Sequence, residues 1–307
     1  MERGIKILGS TGFVGINLTN FFHKNNISFE SISIREFNWE SRLVNDSVIF
    51  INLIGKAHDH KGTATEHEYY DINYEFPKKI FKLFLQSNAK LLIHISSIAA
   101  IEELESKIPL TEDKVSNSMS WYGKSKRLAE EWLLSQNLPD GKKLIILRPP
   151  MIHGPGDKGN LRLLYKIVSR GIPYPLASFE NKRSFLSIEN FNYFIHQILI
   201  KGEGLKSGVY HISDDEPIST LQLIKIISDV TSKKVFNLFI PKEVVRFFAK
   251  IGDYLKLSLN STRLIKMTGN LLVSNRKIKE MVGIDKLPIS AEEGLIRTIQ
   301  SFKKVEK

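Results

Sequence analysis

The stretch Ile5-Lys6-Ile7-Leu8-Gly9-Ser10-Thr11-Gly12-Phe13-Val14-Gly15 decides the fold. An apolar run breaks into three glycines spaced three apart, which reads as a strand, a tight turn and the start of a helix. A pyrophosphate needs bare backbone at a helix N-terminus, where free N–H groups and the helix dipole favour negative charge. A side chain at Gly9 or Gly12 would hold phosphates away. Gly15, one turn into the helix, is expected to let that helix pack tightly on the sheet. Placed directly after a strand, the pattern predicts a dinucleotide cradle, with Thr11, Phe13 and Val14 beside the glycines.

Working outward, residues 13–24 carry apolar side chains at helical spacing and residues 29–35 alternate as a second strand, completing a β-α-β unit. Arg35 ends that strand about 20 residues past the last glycine, where such folds read the adenosine ribose. An acidic side chain there accepts from a 2′-hydroxyl, whereas the planar, permanently charged fork of Arg suits a 2′-phosphate. NADP is therefore favoured and NAD remains possible. The competing account of Arg35 is a surface residue beside Glu36.

Residues 48–54 form an apolar run, broken by Asn52, before Gly55, the pattern of a parallel strand buried on both faces. Its C-terminal end, with Leu53, is expected to border the cofactor crevice. The next loop holds His58, Asp59, His60 and His67, but no spacing matches a helical His pair and Lys56 and Lys61 are poor neighbours for a cation. No metal is expected, and the loop reads as a polar substrate-side segment with His58 as a contact. Residues 70–86 read as a helix with Asn73 facing inward, and residues 91–95 as a strand that delivers Ser96 and Ser97. A helix over residues 122–136 and a strand over 144–147 follow. Beyond Arg148-Pro149-Pro150 the prolines and glycines multiply, marking a second lobe.

The expected fold class is thus α/β: a doubly wound parallel sheet in residues 1–150, with 184–203 returning to it, and a smaller C-terminal α/β lobe over 151–307. The segment from Gly208 to Ser213 reads as a strand of that second lobe. With 307 residues the chain can bury a substantial core. The absence of cysteine excludes disulfides, thiolate metal sites and cysteine nucleophiles, and is compatible with a reducing cytosol. No leader and no spanning segment are expected, so a soluble, cytoplasmic protein is anticipated.

A net charge of +11 suggests an anionic partner, but the excess lies in scattered pairs such as Lys78-Lys79 and Lys303-Lys304. That is the pattern of a solvated surface, so no nucleic acid is expected. Val244, Phe247, Phe248, Ile251 and Leu255 make an apolar stripe beside Arg246 and Lys250. It reads as packing on its own domain, which disfavours membrane association.

Tyr122 and Lys126 stand four residues apart, hence on one helix face. A free phenol is a poor base at neutral pH, but a neighbouring cation favours the phenolate. With Ser97 arriving from the adjacent strand end, the set suits alcohol–ketone interconversion: Tyr122 moves the proton, Ser97 orients the oxygen and a nicotinamide exchanges the hydride. Lys126 would also hold the nicotinamide ribose.

These residues, with His94-Ile95-Ser96-Ser97, Trp121-Tyr122-Gly123-Lys124-Ser125-Lys126, Leu147-Arg148-Pro149-Pro150, Gly154-Pro155-Gly156 and Arg183-Ser184-Phe185, carry a resemblance over nearly the whole chain. The sequence resembles an extended short-chain dehydrogenase/reductase of the NAD(P)-dependent nucleotide-sugar epimerase/dehydratase family. The resemblance implies that Ser97, Tyr122 and Lys126 are catalytic, that Asn73 assists and that Ser96 is a lesser candidate. It also implies that Arg183 meets a nucleotide diphosphate, that Asn160 touches sugar or phosphate, and that a homodimer forms through the Asn73 and Tyr122 helices.

Dehydratases of this family carry a carboxyl pair immediately after the catalytic hydroxyl, where this chain has Ile98 and Ala99. That leaves redox at one carbon, sugar C4. Arg35 tilts the reading toward a 4-ketoreductase of a UDP-linked 4-keto-6-deoxy sugar for surface-polysaccharide synthesis. The alternative is a 4-epimerase of UDP-glucose or UDP-GlcNAc type. A non-catalytic nucleotide-binding regulator is disfavoured by the intact Ser97, Tyr122 and Lys126.

Overall fold

The computed structural model describes residues 4–46, 48–57, 63–255 and 260–305. The first half runs β1 (Ile5–Leu8), α1 (Phe13–Lys24), β2 (Glu30–Ile32), α2 (Trp39–Val44), β3 (Ile49–Asn52), α3 (Glu66–Tyr70), α4 (Phe76–Gln86), β4 (Leu91–Ile95), α5 (Trp121–Leu134) and β5 (Lys143–Arg148). The second runs β6 (Met151–His153), α6 (Asn160–Ser169), β7 (Phe185–Ser187), α7 (Ile188–Lys201), β8 (Gly208–His211), α8 (Thr220–Thr231), α9 (Lys242–Tyr254), α10 (Ser261–Thr268), α11 (Arg276–Val282) and α12 (Ala291–Val305).

Strands whose residues are apolar on both faces must be covered on both, and they are. The six-stranded sheet has the order β2-β1-β3-β4-β5-β8, with every pair parallel. Ile7, Ile51, Ile93 and Ile145 point to one side, against Leu18 and Phe22 of α1 and Phe191, Phe194 and Ile198 of α7. Their strand neighbours Leu8, Phe50, Leu92 and Ile146 point to the other, against Leu43 of α2, Phe81 and Phe84 of α4 and Leu133 of α5. This is a Rossmann-type doubly wound fold. The strand order reverses between β1 and β3, so the ligand crevice is expected beyond their C-terminal ends. A separate core joins α6, α8 and α12 with Tyr174, Leu176 and the inner faces of α9 and α10.

Four expectations need correction. The second strand stops at Ile32, because β1, its only strand partner among the described residues, ends at the Leu8–Ile32 register and turns at Gly9. Arg35 therefore sits in an exposed turn rather than at a strand end. The helix expected over residues 70–86 is interrupted by a wide turn at Asp71–Glu75, in which the Phe76 N–H reaches back five residues to the Asp71 carbonyl. Pro77 has no N–H to give to the Asn73 carbonyl, so the ordinary ladder cannot continue there.

The segment from Gly208 does not serve the second lobe. As β8 it pairs with β5 at the edge of the main sheet, with Val209 and Tyr210 feeding opposite cores. Finally, α9 packs through Val245, Ala249 and Gly252, and leaves Val244, Phe247, Phe248 and Leu255 exposed. No described helix is long and apolar enough to cross a membrane.

Candidate functional site

The glycine turn is built by three different constraints. Gly9 has φ +83°, and a Cβ there would lie 3.0 Å from the backbone of Leu53 and Ile54 beyond β3. A Cβ on Gly15 would come within 2.2 Å of the Gly9 carbonyl oxygen, so this glycine lets α1 close onto its own turn rather than onto the sheet. Gly12, the N-cap of α1, is exposed with ordinary φ, and a Cβ would find only the Gly9 oxygen at 3.5 Å. Nothing in the protein requires glycine there, and approach of a ligand to the helix N-terminus does. Thr11 is exposed beside it, and Phe13 packs against Gly154 and Gly156, joining the turn to the loop after β6. This bare, exposed N-terminus fits the pyrophosphate of a dinucleotide.

Leu53 hydrogen-bonds the end of β1, its N–H donating to the Leu8 carbonyl, and its side chain rests on the core beside Phe13 and Val14. The chain then passes Gly55, where a Cβ would lie 3.0 Å from Lys126 Nζ and 3.4 Å from Asn73 Oδ1. The crevice between β1 and β3 thus opens directly onto α5.

On α5 the buried stripe is Gly123, Ser125, Lys126, Ala129, Glu130 and Leu133. Gly123 is required by close approach, since a Cβ would meet Glu103 Oε1 at 2.4 Å and the Ala99 oxygen at 2.5 Å. Ser120 caps the helix, its Oγ accepting from the Gly123 N–H, and its N–H and Oγ donate to Glu103 together with the Met119 N–H. Burial works to raise the Glu103 carboxyl, but these hydrogen bonds outweigh it and hold it below the ordinary value.

The Ser97 hydroxyl lies beside the Tyr122 phenol, close enough to pull its pKa down, and accepts from the Ala99 N–H at 3.2 Å. The adjacent hydroxyl has a different employment: Ser96 Oγ donates to Glu130 at 2.5 Å. Glu130 also takes a two-pronged hydrogen bond from Arg148, Nε at 2.9 Å and Nη2 at 2.6 Å, with both side chains fully buried. Sequence reasoning missed Glu130, whose only signal is its place on the apolar stripe of α5. It also missed Asn52 and His94, which hydrogen-bond side by side across β3 and β4 at 3.0 Å.

Burial raises the Tyr122 phenol above its ordinary value, partly offset by Ser97. This differs from the expectation of a phenolate favoured by its lysine neighbour, because the Lys126 ammonium is turned to the Ile95 carbonyl oxygen at 2.9 Å. Burial pushes Lys126 down to about 8. Asn73 is wholly buried: its Oδ1 accepts from the Lys56 N–H, and its Nδ2 donates to the Lys56 carbonyl and to Ser125 Oγ. It ties the loop after β3 to α5.

The remaining residues lie apart. Arg35 is exposed, and Glu36 pairs with Arg42 instead of with it. Arg183 is half-buried with Nη1 donating to the Gly269 carbonyl at 3.0 Å, forms no ion pair among the described residues, and is pushed down by burial to about 10. Asn160 is exposed at the first turn of α6. His67 lies 2.7 Å from Asp71, and His58 falls outside the described residues.

Residues 18–234 match the model of the 3-beta hydroxysteroid dehydrogenase/isomerase family. A UDP-glucose 4-epimerase of Vibrio cholerae is 28% identical over 98% of this chain and 96% of its own. An N-acetyl-alpha-D-glucosaminyl-diphospho-ditrans,octacis-undecaprenol 4-epimerase of Escherichia coli O157:H7 is 23% identical over 98% of this chain and 95% of its own. Among solved structures, a UDP-glucuronic acid 4-epimerase from Bacillus cereus in complex with NAD superposes with a TM-score of 0.77 at 16% identity, covering 99% of this chain and 100% of that one. The chain belongs to the 3-beta hydroxysteroid dehydrogenase/isomerase family and is an enzyme of the extended short-chain, NAD-dependent epimerase/dehydratase type.

Proposed function

We propose that the protein is an NAD(P)-dependent 4-epimerase of a hexose carried on a diphosphate, most simply a UDP-sugar. The observation that carries the reaction class is the placement of Ser97 beside the Tyr122 phenol beyond the C-terminal end of β4, one helical turn from Lys126 and continuous through Gly55 with the glycine turn. The choice of epimerase is supported by the two curated 4-epimerases that align along almost the whole chain.

Gly9, Gly12 and the free N–H groups of α1 would hold the pyrophosphate, and Lys126 the nicotinamide ribose. When bound, a nicotinamide supplies acceptance and return of the hydride on C4. In its deprotonated form Tyr122 Oη would take the proton of the sugar 4-hydroxyl as the C4–H bond breaks, and would give it back to the same oxygen after the 4-keto sugar has turned over. Ser97 Oγ holds that oxygen through both passages. Asn73 keeps α5 and the loop after β3 in register, and Arg183 neutralises the diphosphate. The places that hold Ile98 and Ala99 offer no carboxyl to abstract a proton from C5, so 4,6-dehydration does not follow.

Arg35 favours a second reading, a ketoreductase that consumes NADPH and acts on a UDP-linked 4-keto-6-deoxy sugar. Its guanidinium has no carboxylate partner among the described residues. Purified protein is incubated with UDP-glucose, UDP-GlcNAc or a UDP-linked 4-keto-6-deoxy sugar and each cofactor. C4 inversion without net change in the reduced-nicotinamide absorbance is the expected result, stoichiometric NADPH loss on the keto sugar replaces it with the reductase, and neither outcome sinks both.

A further inference from the structure

The helix α9 presents two faces to its surroundings. Small residues, Val245, Ala249 and Gly252, pack inward. A second stripe, Val244, Phe247, Phe248 and Leu255, recurs at helical spacing and faces outward, with Phe247 61% and Phe248 57% exposed. The two rings stack edge to face with centroids 5.9 Å apart, so they form one apolar knob rather than two separate residues. The segment leading into the helix adds exposed Phe236 and Phe239.

Charge follows the same helix. Lys242, Arg246 and Lys250 are exposed, and none forms an ion pair among the described residues. Of the two acids on α9, Asp253 is occupied by the N–H and Oγ of Ser261, which leaves Glu243. Arg246 lies over the Phe179 ring, and Lys250 borders the apolar stripe.

We infer that this face of α9 seats the protein on an anionic lipid surface. Exposed aromatic and aliphatic side chains flanked by unpaired cations on an amphipathic helix suit the boundary between headgroups and acyl chains. A second copy of the chain is the poorer occupant. A two-fold contact across α9 would set Lys242, Arg246 and Lys250 against the same three cations of the other molecule, in a protein that already carries +11. The inference is independent of which sugar the enzyme converts.

The full-length protein is sedimented with vesicles of phosphatidylglycerol and phosphatidylethanolamine, and with vesicles of phosphatidylcholine alone. Binding to the anionic vesicles is expected, at least about tenfold weaker on the neutral ones, and weakened several-fold between about 0.1 M and about 0.5 M salt. Phe247→Ser with Phe248→Ser should lower it by about tenfold or more, while Phe247→Leu with Phe248→Leu retains it. Lys250→Glu should lower it by about fivefold and flatten the salt dependence. Failure to bind anionic vesicles overturns the inference, as does unchanged binding by the serine pair. Sedimentation equilibrium provides the other arm: a serine pair that converts an oligomer to a monomer while vesicle binding persists makes the face a self-interface instead.

Discussion

Two surfaces of this molecule treat charge in opposite ways. Around α5, buried polar groups find partners inside the protein: Glu130 takes Arg148 and Ser96, Asn73 takes Lys56 and Ser125, Lys126 takes Ile95. Around α9, Phe247 and Phe248 stand exposed against each other, and Lys242, Arg246 and Lys250 are exposed without an ion pair among the described residues. The difference separates residues that fix a geometry from residues held in readiness for something outside. Burial makes the first set costly to break, and exposure makes the second cheap to change.

The largest effect should come from the buried pair. Glu130→Ala strips the Arg148 guanidinium of its carboxylate in a buried site and should cost about 3–5 kcal/mol of unfolding free energy, read by denaturant titration. Glu130→Leu with Arg148→Met removes both charges and should cost well below the sum of the singles. Equal, additive losses would show that the pair is not coupled. Next stands Tyr122→Phe, which keeps the ring beside Tyr69 and removes the proton carrier. Turnover should fall by about 10²–10⁴-fold with cofactor affinity preserved, measured by C4 inversion and by cofactor titration.

Lys126 links the same region to pH. Its folded pKa, about 8, lies below the ordinary 10.5, so between those values the unfolded chain binds a proton that the folded one does not. Stability contributed by this group is complete above 10.5 and is lost as pH falls through 8, on the order of 3 kcal/mol across the window. Relative to Lys126→Met, the wild type should gain unfolding free energy from pH 8 to pH 10.5, and parallel curves would place the ammonium in water. A smaller effect is expected at Arg183→Met: about a tenfold rise in KM for a diphosphate-linked sugar and little change in kcat.

The sequence was legible where function is local. Gly9, Gly12 and Gly15 follow one strand, and Tyr122 and Lys126 share one turn of helix, so spacing alone brings them together. The fold class followed from the same alternation. Glu130 was hidden because a carboxylate among lysines and arginines looks like a solvated face until Arg148, 18 positions on, closes over it. Asn73 was read as inward but not as a tether, since its partners, the Lys56 backbone and Ser125 Oγ, are distant in sequence. Arg35 was placed by counting residues, and counting cannot see that β2 loses its pairing partner at Ile32.

The apolar stripe of α9 was misread for another reason: periodicity finds the largest apolar face, and here the smaller face, Val245, Ala249 and Gly252, is the one that packs. The least effect on stability is accordingly expected there. Phe50 and Phe81, sealed in the core beneath α4, should each cost about 3–5 kcal/mol on truncation to alanine, because a cavity is left that its neighbours cannot fill. Phe247 and Phe248 leave no cavity when replaced by serine, so each should change the unfolding free energy by less than about 0.5 kcal/mol in thermal or denaturant melts. Melts that drop by as much as the core truncations would mean that the rings are held by the protein, and the contrast between the two surfaces would collapse. Unchanged melts leave two large rings that stabilise nothing in the isolated chain, which is the condition under which their burial elsewhere can be strongly favourable.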